Sequence, residues 1–321
     1  MGRIGRLLFR RLINHPDIEL VAVNDIIDPA NLLYLLKYDT LYGPFSGTLA
    51  QQGNQFVAGD RKVQALQFGH PAEFSWSDHG IDLVIECSGK FTSRNGAEQH
   101  LAGGAKKVLL STTGSTDIPL MIYGFNHHRV TPDTTIVSPG GCMTNCATHV
   151  LYLLNSIGIE TAHIHILHSY TSRQELVDTA HNQWRRGRAA AESIIPVEID
   201  LAMSLQRLLP LENRIAALST RVPVTNGAMA DITVQLKSEA SRDQINALFS
   251  KAATGDYKGI ISYTEDQVVS ADIKGNTHSC VIDGTLTSVV GRQVKIIAWF
   301  DNEFGYTSRM IDWLQYIRQL S

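Results

Sequence analysis

A single cysteine, Cys142, stands in the stretch of the sequence best suited to covalent chemistry. A β-like run, 134–137, leads into a proline and two glycines, and an apolar helical pattern follows Cys142. This order predicts that Cys142 lies where a strand turns into a helix, so that unpaired N–H groups and the positive end of the helix dipole point at its sulfur. Such a placement lowers the pKa of a thiol and makes it a nucleophile. The alternative for this stretch alone is a buried small apolar residue, the usual role of a free cysteine.

A base for this nucleophile is available in His168, at the end of a predicted strand that begins at His163. Alternation along the strand places His168 on the face of Ile164 and Ile166, opposite His163 and His165. The pair His163 and His165 has a spacing suited to metal ligands, but no third ligand clusters with it, and we predict no metal site. The alternative for His168 is a satisfied core or surface histidine.

Two features of the second half of the sequence are suited to binding an anion. The run 182–188 contains three arginines, and it is either a solvated basic loop or a phosphate-binding loop, because the arginine fork matches phosphate oxygens. Arg221 lies in an otherwise apolar strand before Pro223. A charge placed there needs a partner, which is either a substrate phosphate or a carboxylate in a structural ion pair.

The N-terminal residues resemble half of a dinucleotide fingerprint. Gly2 and Gly5 fit the last two glycines of G-x-G-x-x-G, and a buried strand after the first helix ends at Asp25. Its distance from Gly5, about 20 residues, is that expected for a carboxylate that holds ribose hydroxyls. The first glycine and the strand before it are missing from the sequence, so a helix that begins with small residues is the alternative.

Strand and helix signals then alternate up to the cysteine, which predicts a mostly parallel sheet with helices on both faces. Ligands of such sheets lie beyond the carboxyl ends of the strands. We therefore expect Asp25, Ser88, Gly89, Ser111 and the Cys142 stretch to gather at one rim.

Beyond the cysteine, alternating strands dominate and predict an antiparallel sheet covered on one face. The predicted fold class is α/β, with a Rossmann-type parallel sheet domain whose first strand is missing and an α+β catalytic domain. We place the dinucleotide-binding domain at 1–141 and the second domain, which contains Cys142 and His168, at 142–303, with a C-terminal helix, 304–321, that packs back on the first domain.

The overall composition excludes several classes of protein. The chain has 321 residues, 44% hydrophobic and 18% charged, with a net charge of −3, which is typical of a soluble globular protein without a basic surface for nucleic acid. Four cysteines in this length are not a disulfide framework and favour the reducing cytoplasm. No apolar run reaches the roughly 18 residues of a membrane span, and the first residues do not open a signal peptide.

Over essentially its whole length the sequence resembles the glyceraldehyde-3-phosphate dehydrogenase family, including its erythrose-4-phosphate dehydrogenase branch. The motifs that carry the resemblance lie in order along the chain: Gly2-Arg3-Ile4-Gly5-Arg6, Asn24-Asp25, Leu36-Lys37-Tyr38-Asp39, Ser88-Gly89-Lys90-Phe91, Gly104-Ala105-Lys106-Lys107-Val108, Cys142-Met143-Thr144-Asn145-Cys146, His168-Ser169-Tyr170-Thr171, the run 188–196, Arg221-Val222-Pro223 and the run 299–306.

The resemblance implies that the protein oxidises a small phosphorylated aldehyde with NAD. Cys142 would attack the aldehyde to give a thiohemiacetal. His168 would lower the pKa of the thiol and take the hydroxyl proton as hydride leaves for the nicotinamide. The resulting thioester would pass its acyl group to phosphate or water.

The resemblance also assigns binding residues. Arg3 and Ile4 match the pyrophosphate contacts, Asp25 the ribose contact and Asn302 the residue that orients the nicotinamide. An acid at position 25 favours NAD over NADP, because it would repel a 2′-phosphate. Ser88, Gly89 and Ser111 complete the predicted cofactor set.

For the substrate, Thr171 and Arg221 match the site of its own phosphate, and Arg173 adds positive charge beside it. The loop from about 178 to 201 resembles the family's S-shaped loop, which implies a homotetramer.

Departures from the family pattern leave the acyl acceptor and the substrate open. Gly141 and Met143 stand where the phosphorylating enzymes have a hydroxyl on each side of the nucleophile, and Ile199 and Asp200 replace an expected threonine and glycine. The alternatives are erythrose 4-phosphate as substrate, water as acceptor, and a nucleotide-binding paralogue without turnover. Members of the family begin roughly one strand earlier than this sequence does. We interpret this difference as a start of the chain that was assigned too late.

Overall fold

The computed structural model of the protein describes residues 1–320, which form two compact units. Unit 1 comprises Met1–Met121, Asn126–Gly140 and the residues from Met310 onward. Unit 2 comprises Ile122–Phe125 and Gly141–Arg309. Within residues 1–320 no helix is both long enough and apolar enough to span a membrane.

Unit 1 is a Rossmann-type α/β unit in which parallel strands and helices are interrupted by one antiparallel excursion, 50–66. Its elements are α1 (Arg3–Leu12), β1 (Ala22–Asn24), α2 (Pro29–Lys37), β2 (Ala50–Gln52), β3 (Gln55–Ala58), β4 (Arg61–Leu66), β5 (Leu83–Glu86), α3 (Arg94–Ala102), β6 (Lys107–Leu110) and β7 (Ile136–Val137).

Local signals in the sequence start these helices. Asp28 caps α2 by accepting a hydrogen bond from the Asn31 N–H, with Pro29 as the first helical residue. Ser93 caps α3 in the same way, through the Gly96 N–H. Such caps satisfy N–H groups that have no acceptor inside the helix.

The strands of unit 1 form two sheets instead of one. The first has the order β1-β4-β3-β2 and the second β5-β6-β7. β1 pairs with β4 in parallel, and β5, β6 and β7 are mutually parallel. Within residues 1–320, β1 and β5 are therefore each at the end of a sheet.

Unit 2 is built on one large sheet. Its elements are α4 (Cys142–Leu154), β8 (Ile159–Ser169), β9 (Ile195–Val197), α5 (Leu201–Gln206), β10 (Ile215–Val222), β11 (Ala228–Leu236), α6 (Arg242–Thr254), β12 (Ile261–Thr264), β13 (Cys280–Asp283), β14 (Ser288–Val290) and β15 (Gln293–Phe300). The last helix, α7 (Phe304–Gln319), begins in unit 2 and belongs to unit 1 from Met310 onward.

The order of this sheet is β12-β13-β15-β11-β8-β10-β9, with β14 beside β15. It is mixed and not wholly antiparallel, because β8 pairs with β10 and β12 with β13 in parallel. Parallel neighbours need a long crossover, and the chain between β8 and β10 supplies one. Side chains along β11 alternate between buried and half-buried, so one face carries the core, against which α4, α5 and α6 pack.

Candidate active site

Cys142 is the first residue of α4, as the sequence predicts. Gly140 precedes it with φ of +69°, a conformation that favours glycine. Gly141 is the N-cap and supplies no side chain to the helix end. The Cys142 sulfur therefore faces the open N–H groups of the first turn of α4, and the N–H groups of Cys142 and Met143 donate to it.

His168 lies beside this sulfur, with Nε2 3.8 Å from the Cys142 Sγ. Its Nδ1 is 2.7 Å from the carbonyl oxygen of Ser169. A carbonyl oxygen only accepts hydrogen bonds, so Nδ1 carries the proton and Nε2 presents its lone pair to the thiol. This is the orientation of a general base, and alternation along β8 buries His168 together with Ile164 and Ile166, as the sequence indicates.

The prediction that this site lowers the pKa of the Cys142 thiol is wrong. The residue is half-buried, but the sulfur itself is enclosed by protein, and burial raises the pKa of Cys142 to about 11, against the opposing effects of Arg221 and the helix N–H groups. Burial and then the charge of Arg221 lower the pKa of His168 to about 3. At neutral pH both groups are therefore uncharged, and the pair is a thiol facing a neutral imidazole.

Asn302 joins the same cluster where the ends of three strands, β8, β11 and β15, lie side by side. Its Oδ1 accepts from the Gly227 N–H at 3.0 Å and from the Ser169 hydroxyl at 3.2 Å. The pairing of β8 with β11 and of β11 with β15 puts Ala228 opposite both His168 and Phe300. These two bonds fix the side-chain amide of Asn302. Its Nδ2 is then a donor that has no hydrogen-bond acceptor within residues 1–320.

Arg221 is held next to His168 by the parallel register of β10 on β8. The residue is 8% exposed, and its Nη1 donates to the Ser169 carbonyl at 3.3 Å. Its Nε is buried with no acceptor, and within residues 1–320 no carboxylate forms an ion pair with it. Of the two alternatives that the sequence leaves for Arg221, the structural ion pair is therefore excluded for the described residues.

Two further arginines act electrostatically on Arg221. Burial, then Arg186 and, more weakly, Arg173 lower the pKa of Arg221 to about 10. Arg186 lies in the short helical turn Trp184–Gly187 of the arginine-rich run, and its Nη1 is also buried without an acceptor. Arg173 is exposed, and its N–H lies 3.4 Å from the Thr171 hydroxyl. These guanidinium groups concentrate positive charge near the thiol, as an anionic substrate requires.

Arg186 is the one member of this cluster that the sequence does not single out by number. The run 182–188 has three arginines, and only the fold tells which of them turns inward. Arg188 pairs with Asp178 instead, at 3.1 Å, and Arg185 is exposed.

The positions that depart from the family pattern, Gly141, Met143 and Asp200, differ in how far they are exposed. A Cβ added at Gly141 would meet no heavy atom within 4 Å. Met143 is half-buried, and Asp200 is exposed at the start of α5.

Within residues 1–320 no group of three or more His, Cys, Asp or Glu side chains could hold a metal ion.

In unit 1, the predicted cofactor residues meet around the start of α1. A Cβ on Gly5 would lie 3.6 Å from the Cys87 Cβ, next to Ser88 and Gly89, and Ser111 hydrogen-bonds the Cys87 thiol. The Ile4 N–H belongs to the first turn of α1, where no intrahelical acceptor exists, so it is suited to a pyrophosphate oxygen.

Two of the predicted cofactor contacts have protein partners. Arg3 forms an ion pair with Asp39, so its guanidinium is held away from a ligand and its backbone N–H is the group suited to pyrophosphate. The Asp25 carboxylate forms an ion pair with the ammonium group of Met1. The side chains and backbone groups present around the start of α1 fit NAD.

Comparisons with known proteins agree with this geometry. Residues 1–94 match the family model "Glyceraldehyde 3-phosphate dehydrogenase, NAD binding domain", and residues 141–302 match "Glyceraldehyde 3-phosphate dehydrogenase, C-terminal domain". The chain is 37% identical over 320 residues to glyceraldehyde-3-phosphate dehydrogenase 1 of Bacillus cereus, with 98% of this chain and 96% of the relative covered. It is 40% identical over 317 residues to the glyceraldehyde-3-phosphate dehydrogenase of Streptomyces coelicolor, with 97% and 94% covered. For that of Geobacillus stearothermophilus the identity is 38%, with 98% and 96% covered.

Proposed function

We propose, because the chain belongs to the glyceraldehyde 3-phosphate dehydrogenase family and has its NAD-binding domain, that it oxidises glyceraldehyde 3-phosphate through a thioester on Cys142. The main observation behind this proposal is that the Cys142 Sγ lies 3.8 Å from the Nε2 of His168. The Nδ1 of the same ring donates a hydrogen bond to the Ser169 carbonyl, which fixes its orientation. A nucleophile, an oriented base and uncompensated arginines support a phosphorylated aldehyde as substrate.

The first step is addition of the Cys142 sulfur to the aldehyde carbon. His168 takes the thiol proton as the C–S bond forms and gives it to the carbonyl oxygen, which becomes the hydroxyl of a thiohemiacetal. His168, neutral again, then removes that hydroxyl proton while the hydrogen on the same carbon leaves with both electrons of its C–H bond. NAD supplies the acceptor for this electron pair when it is bound. The product on the protein is the thioester.

Asn302 contributes orientation to this reaction. Its carbonyl oxygen is fixed by Gly227 and Ser169, so its NH₂ group points one way and can donate to the amide oxygen of a nicotinamide. A held amide donates with less loss of rotamer freedom than a free one.

Arg221, with Arg173 and Thr171, binds the substrate phosphate in this proposal. Replacing Arg221 with methionine lowers kcat/KM for glyceraldehyde 3-phosphate by about 100-fold, and Arg173→Gln lowers it by about 10-fold, since a hydrogen bond to a charged group contributes about 1.5–3 kcal/mol. The measurement is NADH formation with the phosphorylated aldehyde and with glyceraldehyde itself.

The exposed Arg185, on the same loop, is the matched control, and Arg185→Gln leaves both rates unchanged. Equal losses with the phosphorylated and unphosphorylated aldehydes would assign the arginines a structural role and contradict the phosphate site.

We propose water as the acyl acceptor, with erythrose 4-phosphate as the alternative substrate. The absence of a hydroxyl at Gly141 and Met143 supports this, because these positions flank the thioester and offer no donor to an attacking phosphate. The wild-type rate is then independent of inorganic phosphate. The double variant Gly141→Ser, Met143→Thr gains a phosphate-dependent rate of at least about 5-fold, from two added hydrogen bonds of about 1 kcal/mol each.

The serine at position 141 fits, because a Cβ there meets nothing within 4 Å and φ is −100°. Release of an acyl phosphate by the wild-type protein, with a rate that rises with phosphate concentration, would refute the hydrolytic proposal.

We propose a cytoplasmic homotetramer. Large apolar side chains stand exposed along and beside the loop 178–201: Trp184 at 89%, Ile194 at 73%, Val177 at 72% and Leu176 at 66%. Large apolar side chains exposed in this number on one segment favour burial against other copies of the chain. All four cysteines are free, which is compatible with a reducing compartment.

A further inference from the structure

Four residues of unit 1 form a chain of hydrogen bonds that the reaction steps at Cys142 do not use. The Trp76 Nε1–H donates to the His100 Nδ1 at 3.2 Å, and the His100 Nε2 lies 3.2 Å from the Glu86 carboxylate. The other carboxylate oxygen of Glu86 accepts from the Ser88 N–H. Trp76, His100 and Glu86 are each at most 7% exposed. We call these four residues the Glu86 network.

The contacts of the His100 ring settle where its proton lies. An indole N–H is only a donor, so the His100 Nδ1 is the acceptor of the bond from Trp76. The proton of the neutral ring is therefore on Nε2, which donates to Glu86. A doubly protonated ring would put two donors face to face at Trp76. His100 is thus neutral, and Glu86 is the charged member of the network.

Glu86 carries this charge without a cationic side chain as partner. Within residues 1–320 no lysine or arginine forms an ion pair with it. Burial opposes its ionisation, but the hydrogen bonds from His100 and then from the Ser88 hydroxyl and N–H outweigh burial and hold the pKa of Glu86 below its usual range. A buried carboxylate is costly unless donors surround it, so the network tolerates only one arrangement of donors and acceptors.

Glu86 also connects two segments of the predicted cofactor set. Its carboxylate holds the Ser88 N–H in the turn that follows β5, and its backbone carbonyl accepts from the Ser111 N–H at 3.0 Å. The Ser88 hydroxyl accepts in turn from the Lys90 N–H at 3.1 Å. Gly89, between these two residues, has φ of +70°, which favours glycine. The turn itself is exposed, so a ligand can reach it.

We propose that Glu86 is a positioning residue for NAD, and that its carboxylate fixes the Ser88–Gly89 turn relative to Ser111 before the cofactor binds. The proposal rests on the proposed function in one respect, because it assigns the turn and Ser111 to the cofactor site. A turn that is already ordered loses little conformational freedom on binding, which raises affinity without a direct contact from Glu86. His100 and Trp76 act one step further away, by orienting the carboxylate.

The donors and acceptors of the network predict the effect of Glu86→Gln. A glutamine offers one oxygen and one NH₂ group in place of two oxygens. If the oxygen stays on the Ser88 N–H, the NH₂ group faces the His100 Nε2–H, and moving that proton to Nδ1 makes it face the Trp76 N–H instead. Each arrangement, including the one with the amide turned over, opposes two donors. Trp76→Phe removes the last of these donors, so the double variant restores a matched bond between the glutamine and His100.

The test measures NAD binding by isothermal titration calorimetry, and folding by thermal melting, for the wild type, Glu86→Gln, Trp76→Phe and the double variant. We expect Glu86→Gln to weaken NAD binding at least about 10-fold, the loss expected for one hydrogen bond to a charged group. Trp76→Phe weakens it about 3-fold, because His100 loses one of its two partners. The double variant binds NAD at least about 3-fold more tightly than Glu86→Gln alone. Alkylation of Cys142, which belongs to unit 2, is unchanged in all four forms.

Glu98→Gln is the matched control for these variants. Glu98 is exposed on α3, the helix that carries His100, and pairs with Arg94 at 3.7 Å. Its replacement is expected to keep NAD affinity within about 2-fold of wild type. The nitrogen NMR spectrum of His100, assigned by its loss in His100→Gln, gives a readout without cofactor. We expect the Nε2–H tautomer in the wild type and the Nδ1–H tautomer in the double variant.

NAD affinity of Glu86→Gln within about 2-fold of wild type would overturn the proposal, whatever the Tm of the variant. So would a double variant that binds NAD no better than Glu86→Gln, a wild-type chain that does not bind NAD, or a wild-type His100 ring that is protonated or in the Nδ1–H form. If Glu86→Gln does not fold, Trp76→Phe decides: unchanged NAD affinity overturns the proposal, and a loss with unchanged alkylation of Cys142 supports it.

Failure of the proposed function gives a different result. Weaker NAD binding by Glu86→Gln, together with no NADH formation from any phosphorylated aldehyde by the wild-type chain, supports the positioning role of Glu86 and refutes the proposed oxidation.

Discussion

Replacing Cys142 with serine lowers the rate of NADH formation from glyceraldehyde 3-phosphate by at least about 1,000-fold, because within residues 1–320 no other thiol contacts the Nε2 of His168. A serine hydroxyl is a far weaker nucleophile than a thiol near neutral pH, and the thioester cannot form on oxygen. The measurement is ultraviolet absorbance of NADH at saturating NAD, together with the mass of the acyl-enzyme after a single turnover.

Cys146, one helical turn further along α4, is the matched control for this variant. It is fully buried, and Cys146→Ala is expected to keep the rate within about 3-fold of wild type. Cys142-independent NADH formation would refute the covalent mechanism. No NADH formation by the wild-type chain with any phosphorylated aldehyde, although NAD binds, would favour the paralogue without turnover.

The same thiol has a defined pH dependence. With its pKa raised to about 11 by burial, the thiolate fraction below that value grows tenfold per pH unit. Alkylation of Cys142 by iodoacetamide is therefore expected to accelerate from pH 6 to pH 9 without a plateau. A plateau below pH 8 would mean that the sulfur is already a thiolate paired with a protonated His168, contrary to the uncharged pair.

Replacing His168 with asparagine lowers kcat by about 100- to 10,000-fold, the usual contribution of a positioned general base. Asparagine retains a donor for the Ser169 carbonyl in place of Nδ1–H, so the variant removes mainly the lone pair of Nε2. Because the pKa of His168 is lowered to about 3, the imidazole is neutral and able to accept a proton from about pH 4 upward. The loss in the variant is therefore expected to be the same from pH 6 to pH 9.

His165, three residues earlier on the opposite face of β8, provides the control. Its Nε2 lies 2.7 Å from the Thr220 hydroxyl, and His165→Asn is expected to leave kcat unchanged. An acid limb in the wild-type profile near pH 6.5 that disappears in His168→Asn would instead show that His168 titrates with an ordinary pKa. Retention of the wild-type kcat by His168→Asn would show that the base is another group.

Much of the active-site cluster follows from local patterns in the sequence. Gly140 and Gly141 are poor helix formers, so the helix is not expected to begin before Cys142. Period-two alternation along β8 assigns His168 to the buried face. Both patterns involve neighbouring residues, which is why the sequence predicts them.

Other features depend on contacts between residues far apart in the chain. The sequence leaves Arg221 with either a phosphate or a carboxylate as its partner. Only the packed structure shows that no carboxylate within residues 1–320 reaches it and that Arg186, one of three adjacent arginines, turns toward it.

The sequence by itself therefore determined the family, the α/β character of unit 1, the place of Cys142 at the start of α4 and the face of β8 on which His168 lies, because these depend on short motifs, short-range periodicity and turn-forming residues. The tertiary structure decided the ionisation of Cys142 and His168, where burial outweighs the helix dipole because desolvation depends on every atom that surrounds the sulfur. It also decided that the strands of unit 1 divide into two sheets and that β8 pairs with both β10 and β11, because strand pairing joins segments that are distant in the sequence.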